Sequence, residues 1–149
     1  MEQRKMEREL TILLIEDDQK ACDEIQAYSD ATDGTRIINT TNSAFEAIEM
    51  VKASLPDAVI LDLELHLGGG NGLLFLNELE NLDLPRRPYI LVTTNNSSNI
   101  TLEQCRKLGA DFIIAKYETQ YCAQYVIEFL RMMSSAIFKA ATPSAGSPE

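Results

Sequence analysis

Short, continuous apolar runs alternate along the chain with longer stretches in which apolar residues recur every three or four positions. The runs predict five strands, at about 10–15, 35–40, 58–62, 89–93 and 112–115. A strand with one wet face alternates in polarity, whereas uninterrupted runs such as Ile12-Leu13-Leu14-Ile15 and Ala58-Val59-Ile60-Leu61 need apolar cover on both faces. Strands and helices in alternation predict an α/β fold on a parallel sheet. Thr35-Arg36-Ile37-Ile38-Asn39-Thr40 is the most polar of the five and is expected at a sheet edge.

Helices are predicted between the strands. Ala21, Cys22, Ile25 and Tyr28 mark a first helix. Ala44, Ile48, Val51 and Leu55 mark a second, opened by a Ser43 and Glu46 capping box and closed by Pro56. The third runs from Gly72 to Leu82, with Leu73, Leu76 and Leu79 or Leu82 on one face. The fourth covers about 99–108 and ends at Gly109, a C-terminal cap. The last, about 119–139, carries two apolar stripes. Ala123, Val126 or Ile127, Leu130, Met133 and Ile137 suffice to dock it on a sheet; Tyr121, Tyr125, Phe129 and Met132 form a second stripe, read as a contact surface for another chain or domain rather than as a widened core face. Residues 1–9 read as an N-terminal extension and 140–149, rich in Pro, Ser and Ala, as a linker or cut end.

Composition narrows the function. With 149 residues, 45% of them hydrophobic, the chain supports one domain with a full core. Thirteen basic against 23 acidic side chains give a net charge of −10, which argues against direct nucleic-acid binding by this segment and favours a basic partner or a divalent cation. No stretch is apolar enough to span a bilayer and the N-terminus lacks a signal-peptide core, so a cytoplasmic location is expected. Cys22, Cys105 and Cys122 are odd in number and widely spaced, and read as reduced thiols.

The chemistry lies at the strand tips. The first strand runs into Glu16-Asp17-Asp18, the third ends at Asp62, the fourth at Thr93-Thr94 and the fifth at Lys116. In an open parallel sheet these tips share one edge, where ligands bind at the reversal of strand order. Converging carboxylates repel unless a cation neutralises them, and oxygen-only donors select a hard ion such as Mg²⁺ (or Mn²⁺). An ionised Asp in that setting is a nucleophile toward phosphorus, while Thr94 and Lys116 offer a hydroxyl and a compact positive charge to the transferred oxygens.

From Ile12 to about Phe138 this pattern resembles a response-regulator receiver domain of the two-component systems. The resemblance rests on Ile12 to Asp18, Val59-Ile60-Leu61-Asp62-Leu63, Leu91-Val92-Thr93-Thr94 and Leu108 to Lys116. It implies a doubly wound five-stranded parallel sheet of order 2-1-3-4-5 flanked by five helices, with the domain at 10–139. It also implies Asp62 as phosphoacceptor; Asp17, Asp62 and the Glu64 backbone carbonyl on the metal, with Glu16 acting through water; and Thr94 and Lys116 on the phosphoryl group. Thr94 is preferred to Thr93 by its interval from Gly109. The donor would be a sensor histidine kinase or phosphotransfer protein. The expected output is a shift of the fourth helix, fifth strand and fifth helix that controls homodimerisation or an output domain beyond Glu149.

The chain departs from the family pattern in four places. Leu65 to Gly72 lacks the usual Pro, is longer than usual and holds three successive glycines, so a loose loop is expected there, with His66 exposed on it. Tyr117 follows Lys116 where a Pro is customary, so the turn presenting Lys116 needs another support. Asn95 replaces the small residue after the Thr, and Ile113 replaces the usual aromatic. Glu64, His66, Asn95 and Asn96 are therefore candidate modulators of the phosphorylated state.

Other classes fit less well. A haloacid-dehalogenase-type phosphatase needs a second Asp two residues after the nucleophile, where this chain has Glu64, and a cap for which there is no room. A flavodoxin-like cofactor binder would meet an acidic first turn that repels phosphate. The closest rival is a receiver fold that signals by protein contact without phosphorylation.

Overall fold

The computed structural model describes residues 8–141; most of the expected N-terminal extension and the tail from 142 lie outside the described residues. The elements in chain order are β1 (Leu10–Ile15), α1 (Gln19–Asp30), β2 (Thr35–Thr41), α2 (Ala44–Ser54), β3 (Ala58–Asp62), α3 (Gly72–Glu80), β4 (Tyr89–Thr94), α4 (Asn99–Lys107), β5 (Phe112–Ala115) and α5 (Ala123–Ala141). The strands form one parallel sheet in the order β2-β1-β3-β4-β5, with the polar β2 at an edge as expected.

Two cores explain the continuous apolar runs. Successive residues of a strand face opposite sides. Leu10, Ile12, Leu14, Ile60, Leu91 and Ile114 therefore pack with Ile25 of α1 and Val126, Ile127 and Leu130 of α5. Leu13, Ile15, Val59, Leu61, Ile90 and Val92 pack on the other side with Val51, Phe75, Leu76 and Cys105. Cys22 is buried with the first group, Cys122 is exposed, and all three thiols are free.

Local structure departs from expectation at four points. The Ser43 hydroxyl accepts from Glu46 N (3.2 Å), but the Glu46 carboxylate does not return to Ser43 N; it accepts from Thr41 Oγ1 (2.8 Å), and Thr41 Oγ1 in turn accepts from Ser43 N (3.1 Å). That helix ends on Leu55 at φ 47°, a left-handed conformation costly for a residue with a β-carbon. In α3, Phe75 rather than Leu73 fills the core beside Leu76 and Leu79. The final helix starts at Ala123, because the chain after Lys116 first turns back, with Glu118 N on Ala115 O (3.3 Å) and Tyr121 N on Glu118 O (3.1 Å).

At the N-terminal edge of the sheet, Asp57 is buried but fully engaged. Its carboxylate accepts from Thr11 N (2.8 Å), Thr11 Oγ1 (3.0 Å), Arg86 Nη1 (2.8 Å) and Arg8. Burial works against its charge, yet the Thr11 and Arg86 donors outweigh burial and hold its carboxyl below the usual range. Arg86 also binds Leu55 O (2.8 Å), securing the left-handed turn.

Candidate functional site

The opposite, C-terminal edge gathers the predicted chemistry. The register pairs Ile15 with Leu61, so Glu16 and Asp62, each next in its chain, emerge side by side. Both are buried, at 3% exposure. Lys116 reaches them from beyond β4, with Nζ at 3.2 Å from Glu16 Oε1 and 3.4 Å from Asp62 Oδ1. Its turn needs no proline: Lys116 N donates to Thr94 O (2.7 Å), which ties the turn to the tip of β4. Glu16 also accepts from Asp18 N (3.1 Å), and Asp62 Oδ1 from Glu64 N (3.0 Å).

Charge at this cluster is incompletely balanced. Burial, then the neighbouring Glu16, push the Asp62 carboxyl up from 3.8 to about 6, against the pull of Lys116. Burial alone would lower the Lys116 pKa; Glu16 and Asp62 outweigh it and raise it, so the ammonium stays charged. One ammonium between two carboxylates leaves a negative remainder at the strand tips.

Two of the predicted site residues are held aside. The Asp17 carboxylate accepts from the backbone amides of His66 and Leu67, the latter at 3.2 Å to Oδ2. Thr94 Oγ1 donates to Glu64 Oε2, Asn95 N donates to Glu64 Oε1 (3.0 Å), and Asn96 N donates to Thr94 Oγ1 (2.9 Å). Among the described residues, no three His, Cys, Asp or Glu side chains are gathered as a ready cation cage. His66 is exposed, as expected.

Thr93 also faces the site. It is the register partner of Asp62 and so lies on the same face of the sheet. Its hydroxyl is fully buried, and the Tyr121 hydroxyl approaches it without closing a hydrogen bond of normal geometry. Tyr121 is thus not a free surface residue. Burial raises its phenol pKa while Lys116 opposes, and it packs with Tyr125 and Phe129 against the α1 and α5 core. Phe129 stacks on Phe112 of β5, ring centroids 4.6 Å apart, and of the expected second stripe only Met132, at 73% exposure, stands clear.

The sequence profile of the response regulator receiver domain matches residues 12–122. This chain belongs to that family. Solved receiver domains share its fold: a CheY-like receiver domain protein from Methanospirillum hungatei superposes with a TM-score of 0.73 at 16% identity, covering 89% of this chain and 98% of that one. The response regulator domain of Thermotoga maritima CheB gives 0.67 at 14% identity, over 92% and 99% of the two chains. The BeF3-activated N-terminal receiver domain of Klebsiella pneumoniae RstA gives 0.66 at 23% identity, over 82% and 96%.

Receiver domains bind Mg²⁺ at an acidic pocket, and the donor chemistry here suits a hard divalent ion. Glu16, Asp17 and Asp62 supply carboxylate oxygens, and the raised Asp62 pKa marks negative charge that Lys116 alone does not offset. Asp57 takes no part, since it belongs to the opposite sheet edge.

Sequence reading missed the use of the glycines in this receiver. Gly68, Gly69 and Gly70 do more than loosen a loop: they let it lie flat on α2. A β-carbon on Gly68 would collide with the Asn42 carbonyl, one on Gly69 would lie 2.8 Å from the Phe45 ring, and one on Gly70 2.8 Å from Ala44 Cβ. Three glycines in a row signal close approach as readily as freedom.

Proposed function

We propose that this receiver accepts a phosphoryl group on Asp62 from a phosphohistidine of a sensor histidine kinase or phosphotransfer protein. The observation that carries this reading is the pairing of a buried strand-tip Asp62 with Lys116 at 3.4 Å. The ionised carboxylate oxygen attacks phosphorus, the bond from phosphorus to the donor imidazole breaks, and the imidazole leaves with the electron pair. Lys116 stabilises charge on the transferred oxygens. A bound Mg²⁺ would supply the positive charge that lets carboxylates and phosphoryl oxygens crowd together. Asp17, Asp62 and the Glu64 carbonyl would hold it, with Glu16 acting through water.

The hydroxyl role goes to Thr94. It lies at the tip of β4, its carbonyl already anchors the Lys116 turn, and its hydroxyl is held by an exchangeable partner, Glu64. Thr93 is equally buried, but its hydroxyl faces Tyr121 rather than a carboxylate it could exchange for a phosphoryl oxygen. Movement of Thr94 and Lys116 toward a new dianionic group would shift α4, β5 and α5, and with them homodimerisation or an attached output domain.

Intact mass after incubation with acetyl phosphate tests this. One phosphoryl adduct that requires both Mg²⁺ and Asp62, and is absent from Asp62→Asn, supports the reading. A second reading, a phosphorylation-independent contact module, is favoured by the engagement of Asp17 and Thr94 within the domain. It stands if no adduct forms even with a phosphohistidine donor while partner binding persists.

A further inference from the structure

We infer that the glycine loop at 65–71 is an internal competitor of the divalent cation, holding Asp17 with its own amides until the ion displaces it. This rests on the proposed use of Asp17 as a metal ligand.

Two N–H groups directed at one carboxylate supply partial positive charge, which is the service a cation would perform. The donors here are His66 N and Leu67 N, and Asp17 is the acceptor. Both amides converge on Asp17 Oδ2, so an ion that takes this oxygen competes for the lone pairs they use and weakens their hold. Cation binding and loop release are then linked: each disfavours the state the other requires.

The loop is seated firmly enough to compete. Leu65 is buried in the core at one end, and at the other Gly72 N donates to Leu63 O (3.2 Å) while Asn71 Oδ1 caps α3 through Leu74 N (2.9 Å). In the middle, Gly69 O accepts from Ala44 N (2.7 Å), satisfying an otherwise orphaned donor in the first turn of α2. Gly68, Gly69 and Gly70 allow that approach against Asn42, Phe45, Ala44 and Leu74. The same α2 that packs on the sheet therefore presents the His66 and Leu67 amides to Asp17.

The apparent affinity for the cation is reduced by the fraction of molecules in which the loop is docked. Two substitutions should restore it through different atoms. Gly68→Ala sets a β-carbon against the Asn42 carbonyl and unseats the loop. Leu67→Pro deletes one donor; its side chain is 74% exposed, so the core is untouched and the test survives if Gly68→Ala fails to fold. The experiment measures Mn²⁺ binding to the whole chain from the loss of the free-ion EPR signal, with Mg²⁺ as competitor. Both variants are expected to bind about tenfold more tightly than the parent. Hydrogen exchange at the His66 and Leu67 amides should speed up when Mg²⁺ saturates the parent protein. Equal affinities in the parent and both variants, or amides that stay equally protected under saturating Mg²⁺, overturn the inference while leaving the metal site intact. Binding that is absent throughout, or that is unchanged by Asp17→Asn, removes Asp17 from the metal site and overturns both this inference and the proposed use of Asp17 as a metal ligand.

Discussion

The Thr94 hydroxyl donates to the Glu64 carboxylate, joining the tip of β4 to the loop that follows Asp62. Asn95 N reinforces the tie at 3.0 Å. Glu64 stands two residues beyond Asp62, the proposed acceptor, so one carboxylate spans two segments that the proposed switch would have to move apart. Glu64→Ala and Thr94→Ala should each destabilise the fold, and a double-mutant cycle by urea denaturation should return a coupling of about 1.5 kcal/mol, the scale of a hydrogen bond to a charged group. A coupling near zero would mean that the two residues are neighbours without mutual restraint.

Asp62 makes the protein sensitive to pH. Its folded-state pKa is near 6 against an ordinary 3.8, so the folded protein binds this proton more tightly than the unfolded chain. That favours folding at low pH, and the advantage is lost as pH rises through about 6. With EDTA present, Asp62→Asn should be more stable than the parent by about 1 to 2 kcal/mol above that pH, after allowance for solvent screening. The gain should shrink toward zero as pH falls to 3.8. Urea midpoints across the range decide this; a gain independent of pH would point to packing instead.

Asp57 behaves in the opposite sense. Its donors hold its pKa below the ordinary value, so its contribution is present above that value and is lost as acid protonates it. Arg86→Ala leaves the buried carboxylate without a main partner and should cost about 3 kcal/mol at pH 7. Phosphorylation of the molecules that remain folded should be unaffected, as intact mass would reveal.

The last two members of the second stripe should separate cleanly. Phe129→Ala removes a half-buried ring stacked on Phe112 and should cost about 2 kcal/mol. Met132→Ser alters a largely exposed side chain and should change stability by less than about 0.5 kcal/mol. Thermal melts of both variants check the pair; a large loss from Met132→Ser in a concentration-dependent melt would place it in a subunit contact.

What was legible in the chain was whatever repeats or interrupts a period. The apolar runs at 12–15 and 58–61 announce a sheet covered twice, and the acids and lysine that end such runs announce the shared edge. Gly109, at φ +102°, ends α4 as a cap should. Contacts between elements distant in sequence left no such mark. Nothing local tells Glu46 to accept from Thr41 rather than from Ser43, and nothing beside Asp17 says that amides 49 and 50 residues on will take its carboxylate. Asp57, alone before a strand, carries no local sign of the Thr11, Arg8 and Arg86 donors that the fold brings round it.

Strand β3 is bounded by two aspartates of opposite temper. Asp57, just before it, is bound on every side; Asp62, its last residue, lies in surplus negative charge. The strand is a cantilever about 17 Å long, clamped at the root and lightly loaded at the tip. Under the proposed phosphorylation, a charge delivered to the tip would be absorbed as displacement of the loops around it, while the root keeps the beam in place. Damage at the root would collapse the whole span, so loss-of-function changes near Asp57 should show up as missing protein, and those near Asp62 as intact protein that no longer responds.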